Sequence, residues 1–265
     1  MWNIWEIFAS EFMGTVVLLL LGGGVVATAL LPKSKGRGGG WLMISVGWAV
    51  AVFAGIYVAW KTGGHLNPAI TWSKVVAYWF DHDTTMNGAE AGSAAAIPVT
   101  FGFMLLYWFA QLLGAFVGAV LVWLAFKKQF DEEASPATKL GVFATGPEVR
   151  SNLWNFMTEG IITAVLVLFI LVAGGTPTVA GPLAVSLVFL GTGVSLGGPT
   201  GYAFNPARDL GARLAHTVLP IPGKGSSDWN YAWVPLLGPI VGATVAVLVF
   251  YLFGLGVFDL ASLGA

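Results

Sequence analysis

The 265-residue sequence contains no cysteine and little charge: 9% of its residues are Asp, Glu, Lys or Arg. Without a thiol, disulfides, thiolate metal sites and cysteine nucleophiles are excluded. Soluble domains carry about 25% charged residues, so this chain lacks the polar surface to face water on all sides. Its net charge is −1, with no basic tail or block, and nothing in it suggests nucleic acid as a partner. Catalytic patterns are equally scarce. No useful carboxylate pair, nucleophile elbow, phosphate loop or metal-ligand spacing occurs, and His65, His82 and His216 are scattered. No cofactor, no metal and no enzymatic activity are expected.

Apolar residues make up 57% of the chain, with a mean hydropathy of +0.80. A helix needs roughly 20 apolar residues to cross a bilayer. Six runs qualify, at about 8–31, 42–61, 101–126, 153–173, 180–197 and 232–255. Two shorter pieces, about 67–80 and 205–217, each begin at an Asn-Pro-Ala and read as re-entrant half-helices. The first run is too long, and lacks the basic flank, to be a cleaved signal. The fold class is therefore an all-α membrane protein: six transmembrane helices plus two half-helices, in one domain over 1–265. The segments 81–100 and 127–152 read as aqueous loops.

The two halves repeat each other. Leu112-Leu113-Gly114-Ala115-Phe116-Val117-Gly118-Ala119 returns as Leu236-Leu237-Gly238-Pro239-Ile240-Val241-Gly242-Ala243, and Asn67-Pro68-Ala69 returns as Asn205-Pro206-Ala207. Glu11, near the head of span one, has its counterpart in Glu159, near the head of span four. With three spans per repeat, about 8–126 and 153–255, the second copy must enter from the opposite side. Inverted repeats place their site near the midplane, where interrupted segments at matching positions meet.

Each Asn-Pro-Ala has a mechanical reading. Pro is tolerated in the first helical turn, and Asn before it suits the N-cap, leaving its amide NH₂ free to donate into the space beyond. Two half-helices meeting N-terminus to N-terminus would bring together two partial positive charges of about one half each, a barrier to cations and protons. The residue before Pro avoids the helical region. The carbonyls of Gly63, Gly64, His65, Gly201 and Ala203 are then expected to point sideways, which is tolerated at membrane depth where they line a wet cavity. Carbonyl acceptors leading to two amide donors form a ladder for small hydroxylic molecules. Arg208 follows in the first turn of the second half-helix, where a buried guanidinium is a functional candidate by its cost. Asp209 beside it, and Glu11 and Glu159, are expected to hold the loops by accepting hydrogen bonds, and His65 to position its loop and line the pore.

These residues resemble the major intrinsic protein family along essentially the whole chain: GHLNPAIT at 64–71, GYAFNPARD at 201–209, SEFMGT at 10–15 and the LLGxxVGA pair. Asp209 after Arg208 is similar to the aquaglyceroporin, or glycerol facilitator, branch. The resemblance implies the aquaporin fold, a homotetramer in the lipid bilayer and an outer filter of Trp48, Gly193, Tyr202 and Arg208. It also implies glycerol and other small neutral solutes, with water, as the transported molecules. Tyr202 stands where glycerol facilitators have Phe, and its hydroxyl is expected to make the filter more polar, toward protonated lactic acid, dihydroxyacetone or urea. Phe189 and Phe204 are expected to narrow the lumen near the Asn-Pro-Ala pair. A water-selective channel is the alternative, against which Gly193 argues by leaving the filter wide. A coupled carrier would need further intramembrane acid–base pairs.

The family places both termini in the cytoplasm, in a plasma membrane crossed several times, and a bacterial one fits the absence of Asn-X-Ser/Thr sequons. Lys33, Lys35, Arg37, Lys127, Lys128, Lys139 and Arg150 then fall outside and only Lys61 and Lys74 inside, the reverse of the positive-inside rule.

Overall fold

The computed structural model describes residues 2–132, 134–173 and 180–255. Its helices are α1 (Ile4–Leu30), α2 (Gly40–Val58), α3 (Pro68–Tyr78), α4 (Phe101–Ala125), α5 (Lys127–Asp131) and α6 (Pro136–Gly141), followed by α7 (Asn152–Ala173), α8 (Gly181–Leu196), α9 (Pro206–Val218) and α10 (Trp233–Leu252). No strand occurs among the described residues; one isolated bridge joins Thr85 and Pro98. Five helices, α1, α2, α4, α7 and α10, are long and apolar enough to cross a membrane. The sixth span is the 16-residue α8, about 24 Å at 1.5 Å per residue. The short pieces α3 and α9 start at the two prolines, each capped by its asparagine.

Packing follows the repeat. Helix α1 lies on α2 and α4, as α7 lies on α8 and α10; each half-helix then crosses over, α3 onto α10 and α9 onto α4. The paired glycines of the repeated octapeptides explain the tight crossings. A Cβ at Gly114 or Gly118 would meet the carbonyl oxygens of Phe12 (2.5 Å) or Val16 (2.7 Å). At Gly242 it would meet Gly160 O at 2.1 Å. Backbone touches backbone at these points, so no side chain fits.

The segment 127–152 departs from an aqueous loop. It forms α5 and α6, and Phe130, Val142, Phe143 and Ala144 are buried. Their apolar surface has a place to go because α9 presents polar groups that need the loop's backbone.

Candidate functional site

The two half-helices meet end to end, and the asparagines tie them together. Asn67 Oδ1 accepts from Ala69 N (2.9 Å) while its Nδ2 donates to Phe204 O (3.1 Å). Asn205 Oδ1 accepts from Arg208 N (3.1 Å), and its Nδ2 donates to Leu66 O (2.7 Å). Each amide thus gives one hydrogen to the opposite loop and keeps the second for the lumen, instead of leaving both free.

The approach loops are not simply extended. Both asparagines are (φ −155° and −138°), but Leu66, Tyr202 and Phe204 adopt positive φ of 55°, 40° and 53°. That conformation costs roughly 1–2 kcal/mol per non-glycine residue. It also turns successive N–H groups to one side, where a carboxylate collects them. Glu11 accepts from His65 N (3.0 Å) and Leu66 N (2.8 Å), and from Thr62 Oγ1 and Gln111 Nε2 (both 2.9 Å). Glu159 accepts from Ala203 N and Phe204 N, both at 3.0 Å. The same device stands in both repeats. His65 is held by Thr71 and by the carbonyl of Met86.

A cavity of about 700 Å³ runs between the halves. Trp48, Tyr202 and Arg208 stand toward one end, Asn67 and Asn205 between, and Trp60, Lys74, Asn87 and Gly88 toward the other. Trp2 Nε1 donates to Ala95 O (2.9 Å), which puts the N-terminus at the latter mouth, called here the terminal-side mouth. One wall is polar. Gly63, His65 and Ala203 line the cavity; Gly64, packed on Ile56, and Gly201, near Thr145, are not among its lining residues. Leu18, Val52, Ile56, Leu166, Ile170 and Phe189 make an apolar wall.

At the Trp48 end the Arg208 guanidinium lies 4.4 Å from the Trp48 ring centroid and donates through Nη1 to Phe143 O (3.1 Å). Among the described residues it has no carboxylate within salt-bridge distance. The neighbouring Asp209 is engaged elsewhere: it accepts from Thr145 N (2.8 Å), Thr145 Oγ1 (2.7 Å) and Arg213 Nε (2.8 Å). Arg213, fully buried, also donates to the carbonyls of Thr145, Ser227 and Asp228. The pair therefore locks two loops to α9 and leaves the charge of Arg208 to the lumen. Arg213, Thr145, Phe143 and Gln111 escaped sequence reasoning. The one available signal was the spacing of Asp209 and Arg213 by four on a helix.

Tyr202 packs differently from expectation. Its ring covers Gly193: a Cβ there would lie 3.1 Å from Tyr202 Cζ. Gly193 is not itself a lining residue; its missing side chain makes room for the tyrosine ring. The Tyr202 hydroxyl is buried, as is the Ser45 hydroxyl beside it, so it adds no polarity to the lumen. Tyr202→Phe is accordingly expected to leave the ratios of glycerol, urea and water flux within about twofold, because a hydroxyl buried away from the lumen adds little to a passing solute's barrier. A larger shift in liposome swelling rates would show that the hydroxyl reaches the lumen. Phe204 is likewise fully buried, its ring tilted against Phe189 at 4.7 Å, and its carbonyl accepts from Asn67.

An inverted repeat of membrane helices, two half-helices meeting at asparagine caps and a lumen with one polar and one apolar wall define the class: a polytopic membrane protein with the aquaporin fold. The chain belongs to the major intrinsic protein family, whose profile matches residues 1–87 and 92–250. The unmatched residues 88–91 fall in the segment whose Gly88 lines the terminal-side mouth. The chain is 43% identical over 251 residues to the glycerol uptake facilitator protein of Streptococcus pneumoniae (strain ATCC BAA-255 / R6), covering 94% of this chain and 99% of that one. It is 43% identical over 250 residues to the probable glycerol uptake facilitator protein of Thermotoga maritima, covering 89% and 94%. The X-ray structure of the aquaglyceroporin from Plasmodium falciparum superimposes with a TM-score of 0.76 at 28% identity, over 99% of this chain and 100% of that one.

Proposed function

We propose that this protein is a passive channel for glycerol and other small neutral solutes, which also conducts water and excludes ions and protons. The observation that carries the reading is the arrangement of side chains around Arg208 at one end of the cavity. An Arg208 guanidinium without a carboxylate partner faces Trp48 and Tyr202 there, a donor fork on one side and aromatic surface on the other. A polyol presents hydroxyls along one edge and carbon along the other, and these walls match it. Selection then comes from width, hydrogen-bond groups and a positive barrier. The relatives named as glycerol uptake facilitators support glycerol as the principal solute. In this reading Asn67, Asn205 and the carbonyls of Gly63, His65 and Ala203 form the ladder, and Glu11, Glu159 and Asp209 support it. The two repeats make one channel domain. The terminal-side mouth opens to the cytoplasm of a bacterial plasma membrane, and four copies assemble in the bilayer, each with its own pore.

Stopped-flow light scattering of proteoliposomes tests this. Rapid re-swelling in a glycerol gradient, insensitive to a proton gradient, is the expected result. Fast water efflux without glycerol entry would establish a water-selective channel instead, and a response to the proton gradient would establish a carrier. Arg208→Ala is expected to raise the entry of larger and charged solutes by about tenfold or more, since about 1.4 kcal/mol of lost barrier is tenfold in rate. Unchanged selectivity in that variant would remove Arg208 from the filter.

A further inference from the structure

Lys74 has no place in the ladder or the filter, yet it lines the same cavity. It follows Asn67 and Ile70 on the lumen-facing stripe of α3, at spacings of three and four, which put all three on one side of a helix. Asn67 is tied to the opposite loop; Lys74 is tied to nothing. Among the described residues it has neither a hydrogen bond nor an ion pair, and it is not among those whose partners lie elsewhere. Among the described residues none that lines the cavity is an Asp or Glu, and Asp81, Asp83 and Glu90 of the neighbouring segment are exposed.

An ammonium carries three donors and no acceptor, and an apolar lumen solvates it poorly. Its environment supplies further positive potential. The first turn of α8, at Ala180 and Gly181, lines the same mouth and has no side-chain cap, so a helix N-terminus adds its partial positive charge.

We propose that the terminal-side mouth is a binding site for a small phosphate-class oxyanion, inorganic phosphate or a phosphate monoester, centred on Lys74, and that occupancy obstructs the lumen. Lysine binds phosphate as a point charge. A tetrahedral dianion offers it twice the charge of a carboxylate and more acceptor oxygens, some of which remain for the α8 end. The effect on flux rests on the channel reading above; the binding does not.

Two measurements keep these apart. The first is the ³¹P transverse relaxation of inorganic phosphate in the presence of detergent-solubilised protein. Broadening is expected with the wild type, lost in Lys74→Met and Lys74→Gln, and kept in Lys74→Arg. The second is glycerol re-swelling with about 20 mM phosphate on both sides, against chloride at equal ionic strength and osmolarity. A site with a dissociation constant on the order of 10 mM lowers the wild-type rate about two- to threefold and leaves the Lys74→Met rate unchanged by phosphate. Absence of broadening in the wild type, or equal broadening in Lys74→Met, overturns the site even if glycerol flux is normal. Broadening without any effect on flux overturns the obstruction. Equal inhibition by acetate overturns the phosphate class. Loss of glycerol flux in every buffer would fault the channel reading and leave the relaxation result standing.

Discussion

Gly193→Val is expected to cut glycerol entry about tenfold or more while reducing water flux less. The position where its Cβ would stand is 3.1 Å from Tyr202 Cζ and 3.2 Å from Cε2. The ring has little room to retreat: Trp41 meets it edge-on at 5.2 Å, Phe204 at 5.6 Å and Phe189 at 5.9 Å. Gly197 closes another side, where a Cβ would lie 2.2 Å from Tyr202 Cδ1. The remaining open direction is the lumen, so the added methyls displace the aromatic wall into the path. Overpacking of this kind typically costs about 1–3 kcal/mol, and about 1.4 kcal/mol added to a permeation barrier is tenfold in rate. A water molecule is narrower than a polyol and loses less. Paired stopped-flow measurements in water and glycerol gradients, at matched protein content, read the difference. Equal loss of both fluxes would show that the substitution blocks the pore instead of narrowing it. Restoration of glycerol entry by Tyr202→Ala in the Gly193→Val background is the confirming result.

The second large effect is on stability. Asp209→Ala strands Arg213, a fully buried guanidinium whose carboxylate partner lies 2.7 Å away, and frees Thr145 N and Oγ1. Removing one member of a buried pair typically costs about 3–5 kcal/mol. For a chain of this length that corresponds to a fall of about 10 °C in the thermal midpoint. The loop carrying Phe143, whose carbonyl orders Arg208, loses its anchor as well. Selectivity between glycerol and larger solutes should therefore relax in the surviving protein. Asp209→Leu combined with Arg213→Met removes both charges and is expected to recover most of the midpoint. A double variant as unstable as Asp209→Ala would mean that the hydrogen bonds to Thr145, and not the stranded charge, dominate.

Much of the fold was legible because membrane solvation is a strict filter. A run of apolar residues long enough to span has few other uses, and the described helices start and end within about four residues of the apolar runs, the width expected of assigned helix ends. The sixth span is the shortest: the apolar run at about 180–197 marked it, and α8 keeps 16 of those residues. The Asn-Pro-Ala caps were legible for a local reason, since Pro sets the first turn and Asn its cap.

What was not legible depended on chain meeting chain. The destination of each asparagine NH₂, the carbonyl 137 or 139 residues away, cannot be read from either motif. Nor can the left-handed residues at Leu66, Tyr202 and Phe204, which only the carboxylates Glu11 and Glu159 make tolerable. A tyrosine at position 202 reads as an added polar group; the ring's seat on Gly193 buries that hydroxyl beside Ser45.

The sequence by itself determined the solvent, the helices, the inverted symmetry and the two caps, because hydropathy, proline and helix-end chemistry act over a few residues. The tertiary structure alone decided which donors reach the lumen, which charges are neutralised and which are left over. Asp209 is given to Arg213, while Arg208 and Lys74 keep their charges for the cavity. Pairing in a low-dielectric interior is settled by distances of about 3 Å, and such distances exist only once the two repeats have packed.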